Sequence, residues 1–87
     1  MTMGKKITVR YFASVREMLG KGSETVQTGA PTLAALRDEL IARGAPYAEA
    51  LGRGKAVRMA LDQVMSAETA ALDEGSEVAF FPPVTGG

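Results

Sequence analysis

The sequence predicts an α+β domain in which one helix lies across a single mixed sheet of about four to five strands. Three observations support this class: an alternating apolar segment near the start, one leucine-rich segment with helical spacing, and short strand-like segments after it. The chain of 87 residues is long enough for one domain. We expect this domain at residues 1–81, with residues 1–5 mobile, followed by an extended tail at residues 82–87.

The first third of the chain is predicted to form a hairpin that contains a short helical segment. Residues 7–12 alternate like a strand, and the side chains expected to face the core are Ile7, Val9 and Tyr11. This alternation leaves Phe12 on the opposite face. A helical segment follows, marked by the apolar residues Val15, Met18 and Leu19 and ended by Gly20 and Gly22. The second strand of the hairpin is expected at residues 24–27.

The most regular segment is a predicted helix at residues 33–43. Thr32 is expected to be its N-cap, because the hydroxyl can accept a hydrogen bond from an N–H that the first turn leaves unpaired. The apolar residues recur at i, i+3, i+7 and i+8 and form one stripe, made of Leu33, Leu36, Leu40 and Ile41. The residues expected on the solvent side are Arg37, Asp38 and Arg43. Gly44 is expected to stop the helix.

The second half of the chain is predicted to contain the remaining strands. A connector at residues 45–54 has one helical turn at residues 47–51. The strands are expected at residues 57–61, 64–65 and 77–81, with a tight turn at Asp62-Gln63 and another turn at residues 73–76. Because successive strand residues point to opposite faces, Phe80 and Phe81 cannot both enter a one-sided core.

The composition excludes most forms of side-chain catalysis. The chain has no histidine, cysteine or tryptophan, so the commonest general base, the thiol nucleophile and the usual zinc ligands are missing. Ten basic and ten acidic residues give a net charge of zero, which indicates no nucleic-acid or anionic-membrane partner. No apolar segment resembles a membrane span or a signal peptide. We expect a cytoplasmic protein with no metal, no bound cofactor and no active site of its own.

The end of the sequence is the strongest functional signal. We expect the tail to be formed by Pro82, Pro83, Val84, Thr85, Gly86 and Gly87. The prolines end the strand and favour an extended form, and six residues reach about 20 Å, far enough to enter a partner's active site. If Gly87 ends the chain, its own carboxylate is the reactive group, with no side chain to obstruct it. A simple strand stop followed by a frayed terminus is the alternative.

A carboxylate is an anion at pH 7 and a poor electrophile, so the terminus becomes useful only after a partner activates it. An acyl-adenylate would supply the leaving group, and sulfur could then replace it to give a nucleophilic thiocarboxylate. Near the root of the tail, Phe12 and Phe81 are expected to face outward, with Met65 beside them. Together they predict an exposed apolar patch that binds a partner. The alternative is that one of them is merely an exposed apolar residue.

Three segments resemble the small subunits of molybdopterin synthase. They are Arg10-Tyr11-Phe12-Ala13 with Arg16-Glu17, Thr32-Leu33 leading into Leu36, and the run from Glu77 to Gly87 that reads EVAFFPPVTGG. The likeness extends over residues 7–87, and its last segment is the most specific part. It implies the ubiquitin-like β-grasp fold, which agrees with the order of elements derived from periodicity.

The resemblance also implies a chemistry. Gly87 is expected to be adenylated by an ATP-using enzyme related to the ubiquitin activators and then converted to a thiocarboxylate. The tail would insert into the large synthase subunit and pass sulfur to cyclic pyranopterin monophosphate, in an assembly of two small and two large subunits. The family's partner-contacting positions fall on Phe12 and Phe81, with Met65 near a third.

Three other functions stay open. The chain could be a related sulfur carrier for thiamin or for tRNA thiolation, a ubiquitin-like modifier conjugated to lysines through Gly87, or a purely structural interaction domain.

Overall fold

The computed structural model describes residues 4–52 and 54–83. In chain order, its elements are β1 (Lys5–Tyr11), α1 (Ala13–Leu19), β2 (Ser23–Thr28), α2 (Leu33–Ile41), α3 (Tyr47–Leu51), β3 (Arg58–Leu61), β4 (Val64–Met65) and β5 (Glu77–Phe81). The strands form one sheet in the order β2-β1-β5-β3-β4. Only the pairing of β1 with β5 is parallel, so the predicted α+β class with one mixed sheet is confirmed.

The core lies between one face of this sheet and helix α2. Alternation along the two central strands buries the side chains of Ile7, Val9, Tyr11, Val78 and Phe80, each at most 1% exposed. The predicted stripe on α2 faces them, with Leu33, Leu36 and Leu40 buried and Ile41 half-buried. Each fully buried side chain of this size contributes about 1.5–3 kcal/mol, so burial of these side chains is a large part of the domain's stability.

Helix α2 begins where the sequence predicts and ends two residues earlier. The hydroxyl of Thr32 accepts a hydrogen bond from the Ala35 N–H at 3.2 Å, which confirms the N-cap. At the other end, the N–H of Arg43 donates to the Leu40 carbonyl and that of Gly44 to the Ile41 carbonyl, both at 3.0 Å. These i→i+3 bonds tighten the turn that follows the helix, and Gly44, with a φ of 87°, then takes the chain away from it.

The prediction that Arg37 faces solvent is wrong, since this residue is only 3% exposed. Its guanidinium donates to the carbonyl oxygens of Leu51 at 2.7 Å and Gly52 at 2.8 Å. It also pairs with the carboxylate of Glu68 at 2.9 Å. The reason is helical geometry, because Arg37 lies one turn after Leu33, at the border of the apolar stripe. The segments after α3 and β4 close over it and supply its acceptors, whereas Asp38 and Arg43 are exposed as predicted.

The other differences are at element ends. Strand β1 begins at Lys5, which pairs with Thr28 and donates from its ammonium to the Ala30 carbonyl at 2.9 Å. Lys5 therefore lies in the sheet, residues 1–3 lie outside the described residues, and the mobility of residues 1–5 stays a prediction. Asp62 and Gln63 have φ of 51° and 70°, the two positive values of a type I′ hairpin turn. In the described residues, no helix is long and apolar enough to cross a membrane.

Replacing Arg37 tests how much its buried bonds contribute. Arg37→Ala leaves three buried or half-buried acceptors without their donor, so we expect the free energy of unfolding to fall by about 3 kcal/mol. Urea unfolding followed by circular dichroism measures this loss. Arg16→Ala on helix α1 is the matched control, because that arginine is exposed and its removal should change stability by less than about 0.5 kcal/mol. Equal effects of the two substitutions would contradict the assignment.

Candidate functional site

The root of the predicted tail lies at the centre of the sheet. Strand β5 pairs with β1 on one side and with β3 on the other, and it ends at Phe81. Pro82 and Pro83 follow and are half-buried. The four remaining tail residues, Val84, Thr85, Gly86 and Gly87, lie outside the described residues, so insertion of the tail into a partner stays a prediction. The structure shows where the tail starts, on a strand held from both sides.

The sheet face opposite α2, here called the outer face, carries the predicted partner-binding residues. Tyr11 is opposite Phe80 in the parallel pairing, so Phe12 comes next to Phe81, and its N–H donates to the Phe80 carbonyl at 3.1 Å. Met65 lies in the same cross-strand row as two alanines, because Ala60 pairs with both Met65 and Ala79. We call Phe12, Phe81, Met65, Ala60 and Ala79 the outer patch.

Exposure differs among the three large residues of the outer patch. Phe12 is 42% exposed and Met65 is 58% exposed, whereas Phe81 is half-buried beside its neighbours. The strand alternation predicted from the sequence is confirmed, since Phe80 is buried and Phe81 points the other way. The role of these residues in binding a partner stays a prediction.

Sequence reasoning missed one exposed apolar residue, which follows the row of Leu61 and Val78 on the helix-facing side of the sheet. Val64, next to Met65 on edge strand β4, is 64% exposed, the highest value among the large apolar side chains that the structure describes. The available signal was the length of the strand. A strand of two residues at a sheet edge has too few neighbours to bury either side chain.

Two arginines border the outer patch, and their surroundings differ. Arg10 pairs with Glu77 at 3.3 Å, and its guanidinium carbon lies 5.7 Å from the centre of the Phe12 ring, a cation–π contact. Arg58 is directly opposite Phe81 in the antiparallel pairing of β3 with β5. Its side chain is exposed, and among the described residues its guanidinium makes neither a hydrogen bond nor an ion pair.

A polar cluster that the sequence analysis missed supports the other side of the sheet. The hydroxyls of Tyr11 and Tyr47 each donate to the same oxygen of Glu24 at 2.7 Å. Arg43 and Lys21 approach the other oxygen at 3.3 Å and 3.6 Å. A signal was present, because a tyrosine on the core-facing side of a strand needs a partner for its hydroxyl. The cluster ties β1 and β2 to α3 and to the end of α2.

Proton affinities in this cluster follow from its contacts. Burial raises the pKa of Tyr11 well above its ordinary value, and the hydrogen bond to the Glu24 carboxylate adds to this. Partial burial alone would raise the pKa of Glu24. The two tyrosine hydrogen bonds and the charges of Lys21 and Arg43 outweigh it and hold that pKa below its ordinary value. The ring of Tyr11 also stacks on Phe80, with centroids 6.2 Å apart, so the cluster supports the strand ends from which the tail leaves.

In the part of the chain that the structure describes, no group of three or more histidine, cysteine, aspartate or glutamate side chains comes together in a way that could hold a metal ion. The outer patch and the tail root form the candidate site, because exposed apolar side chains lie there beside the end of β5.

Comparison with known proteins identifies the family. The model of the ThiS family matches residues 9–87. The chain belongs to the ThiS family. Two curated relatives are similar to this member of the ThiS family over 93% of its length and 99% of theirs. They are the molybdopterin synthase sulfur carrier subunits of Escherichia coli K12, which is 43% identical, and of Haemophilus influenzae, which is 37% identical. The predicted resemblance to the small subunits of molybdopterin synthase is confirmed.

Solved structures confirm the ubiquitin-like β-grasp fold of this ThiS family chain. The crystal structure of SAMP1 from Haloferax volcanii is 25% identical, with a TM-score of 0.74 and coverage of 94% of this chain and 99% of that one. A ubiquitin from Caldiarchaeum subterraneum has a TM-score of 0.56 at 16% identity, covering 97% and 99%. A chain in a protein–protein complex of subunits 1 and 2 of the molybdopterin-converting factor from Helicobacter pylori has a TM-score of 0.60 at 24% identity, with coverage of 94% of this chain and 99% of that one.

The Glu24 cluster predicts how stability depends on pH. Because the folded state lowers the pKa of Glu24, its contribution is fully present above the unfolded pKa, about 4.3, and is lost as pH falls through the folded pKa. We expect Glu24→Gln to lower the free energy of unfolding by about 1 kcal/mol at pH 7. The difference in the free energy of unfolding between Glu24→Gln and the wild type should disappear as the pH falls below about 4.

Urea unfolding at a series of pH values measures this difference. Glu17→Gln on helix α1 is the control, because that carboxylate is exposed and its loss should leave stability unchanged at each pH. A difference between wild type and Glu24→Gln that grows on acidification would contradict the role assigned to Glu24.

Proposed function

We propose that this chain is the sulfur carrier subunit of a molybdopterin synthase and that Gly87 is the residue that bears the sulfur. The observation that supports the proposal best is 43% identity to the Escherichia coli sulfur carrier subunit over nearly the whole of both chains. The ThiS family match also extends through Gly87, so it includes the complete predicted tail. The absence of histidine and cysteine from the sequence agrees with a function carried by the terminus.

The proposed chemistry takes place on the terminal carboxylate. An activating enzyme joins this carboxylate to the AMP part of ATP and releases pyrophosphate. A donor of sulfide-level sulfur then displaces AMP and leaves a thiocarboxylate on Gly87. Its sulfur attacks a carbon of cyclic pyranopterin monophosphate, and the C–O bond at that carbon breaks with its electron pair going to the oxygen. Water then hydrolyses the resulting thioester, which leaves the sulfur on the pterin and returns the carboxylate. The domain itself supplies positioning, because the reacting group belongs to the tail.

The proposed partner is the large subunit of the synthase. The Helicobacter pylori structure contains a complex of subunits 1 and 2, which supports a partner of this kind. We place the contact on the outer patch, because Phe12 and Met65 are exposed there and Phe81 leads directly into Pro82. A partner bound to that face would receive the tail as it leaves β5. An assembly of two small and two large subunits in the cytoplasm completes the proposal.

Intact-mass spectrometry tests the state of Gly87. The purified chain is incubated with the activating enzyme, ATP and a sulfur donor, and we expect a gain of about 16 Da, since sulfur replaces one oxygen. A variant that lacks Gly87 is the matched control and should show no gain. A wild-type chain that keeps its original mass under conditions in which the enzyme consumes ATP would contradict the proposal.

A ubiquitin-like modifier is the second candidate, favoured by the structural similarity to SAMP1. The two candidates differ in the fate of Gly87. Isopeptide-linked Gly-Gly remnants on lysines of other proteins would favour the modifier, whereas free thiocarboxylate together with co-purification of a large synthase subunit favours the sulfur carrier.

Substitutions in the outer patch test the docking surface. We expect Phe12→Ala, Met65→Ala and Phe81→Ala each to weaken binding to the large subunit by at least about fivefold, because each removes apolar area from the contact. Calorimetric titration measures the affinity. Met18→Ala is the control, because Met18 has the same 42% exposure as Phe12 but lies on helix α1. Weakening by Met18→Ala to the same extent, or loss of the folded state in Phe81→Ala, would show that the patch is misassigned.

A further inference from the structure

Arg58 occupies a special position on the outer face. It lies directly across from Phe81 on the neighbouring strand β3, and directly paired residues of two strands have Cβ atoms about 4.5–5.5 Å apart. A protein that covers Phe81 must therefore also cover at least part of Arg58. Arg58 and Met65 also line an open groove of about 330 Å³ beside the outer patch. The guanidinium is thus at the border between the apolar contact and a space that a partner's side chain can enter.

The nearby carboxylates are already engaged. Glu77 pairs with Arg10 at 3.3 Å, and Glu68, which lines the same groove, pairs with Arg37 at 2.9 Å. Asp62 accepts a hydrogen bond from the Glu77 N–H at 3.0 Å. Arg10 can therefore be covered together with its own counter-ion. Arg58 has no counter-ion among the described residues.

Charge on the strands around the outer patch favours the same kind of partner. The charged strand residues nearest the patch on this face are two cations, Arg10 and Arg58, and one carboxylate, Glu77, whereas Lys6 lies at the far end of β1. The strand residues around the patch therefore carry one more positive than negative charge. A surface of opposite charge would be attracted to this region and would be favoured over a neutral one.

Burial makes a partner for Arg58 necessary. A guanidinium taken out of water without an acceptor destabilises the complex, whereas one that meets a carboxylate gains paired, charge-assisted hydrogen bonds. We infer that the large subunit places a carboxylate side chain in the groove beside Met65, where it pairs with Arg58. This inference rests on the proposed function, and it adds a specific ionic contact to the apolar docking surface. Arg58 would then select partners whose docking face is acidic.

Four forms of the full-length chain test this pairing against the purified large subunit: wild type, Arg58→Glu, Arg58→Lys and Lys6→Glu. We expect Arg58→Glu to weaken binding by at least about 30-fold, because two carboxylates would then face each other. Arg58→Lys keeps the charge and should lose less than about tenfold. Lys6→Glu is the matched control on the same face, six strand residues or about 20 Å from Phe12, and should change affinity by less than about threefold.

The outcomes separate this inference from the proposed function. Binding of Arg58→Glu within about threefold of Lys6→Glu, with both proteins folded by circular dichroism, would overturn the inference and leave the sulfur carrier proposal standing. Failure of the wild type to gain about 16 Da on activation would instead contradict the sulfur carrier proposal. A wild-type chain that does not bind the large subunit would overturn the docking surface and the Arg58 pairing together.

Discussion

The parallel pairing of β1 with β5 is the constraint on which the rest of the structure depends. It brings the first and last strands of the described chain side by side in the middle of the sheet. Parallel neighbours cannot be joined by a tight turn, so the chain between them has to cross the sheet, and α2 lies in that crossover. The same pairing places Phe12 next to Phe81. The outer patch is therefore assembled from residues almost seventy positions apart in the sequence.

Two polar groups on the core side link the elements of this arrangement. Arg37 fixes the segments after α3 and β4 through carbonyl and carboxylate acceptors, and Glu24 gathers two tyrosines and two cations at the ends of β1 and β2. Within the described residues, no buried side-chain polar atom lacks a hydrogen-bond partner. A buried polar group stabilises the fold only when all of its hydrogen bonds are made. A buried donor or acceptor without a partner lowers the free energy of unfolding, and an apolar side chain in its place would be less costly.

Local periodicity was sufficient for most of the fold and for part of the candidate site. The alternation of apolar residues predicted both β1 and β5 and showed which side chains of each strand face the core. It therefore also predicted that Phe12 and Phe81 point outward. The burial of Arg37 could not be predicted, because its acceptors Leu51 and Gly52 lie about fifteen residues further along the chain. No local pattern in the sequence shows that this segment folds back against α2. Arg58 was overlooked for a related reason. Its importance depends on which residue is opposite it, and that is a property of strand register.

The central position of β5 has a mechanical consequence. Its hydrogen bonds to β1 and β3 run across the strand, so a pull applied at Pro82 along the strand axis loads both ladders in shear. Many bonds then resist together, whereas a strand peeled from a sheet edge gives way one bond at a time. If a partner binds the tail as proposed, a pull on the tail would be carried into the middle of the sheet, and the domain would resist it as a unit.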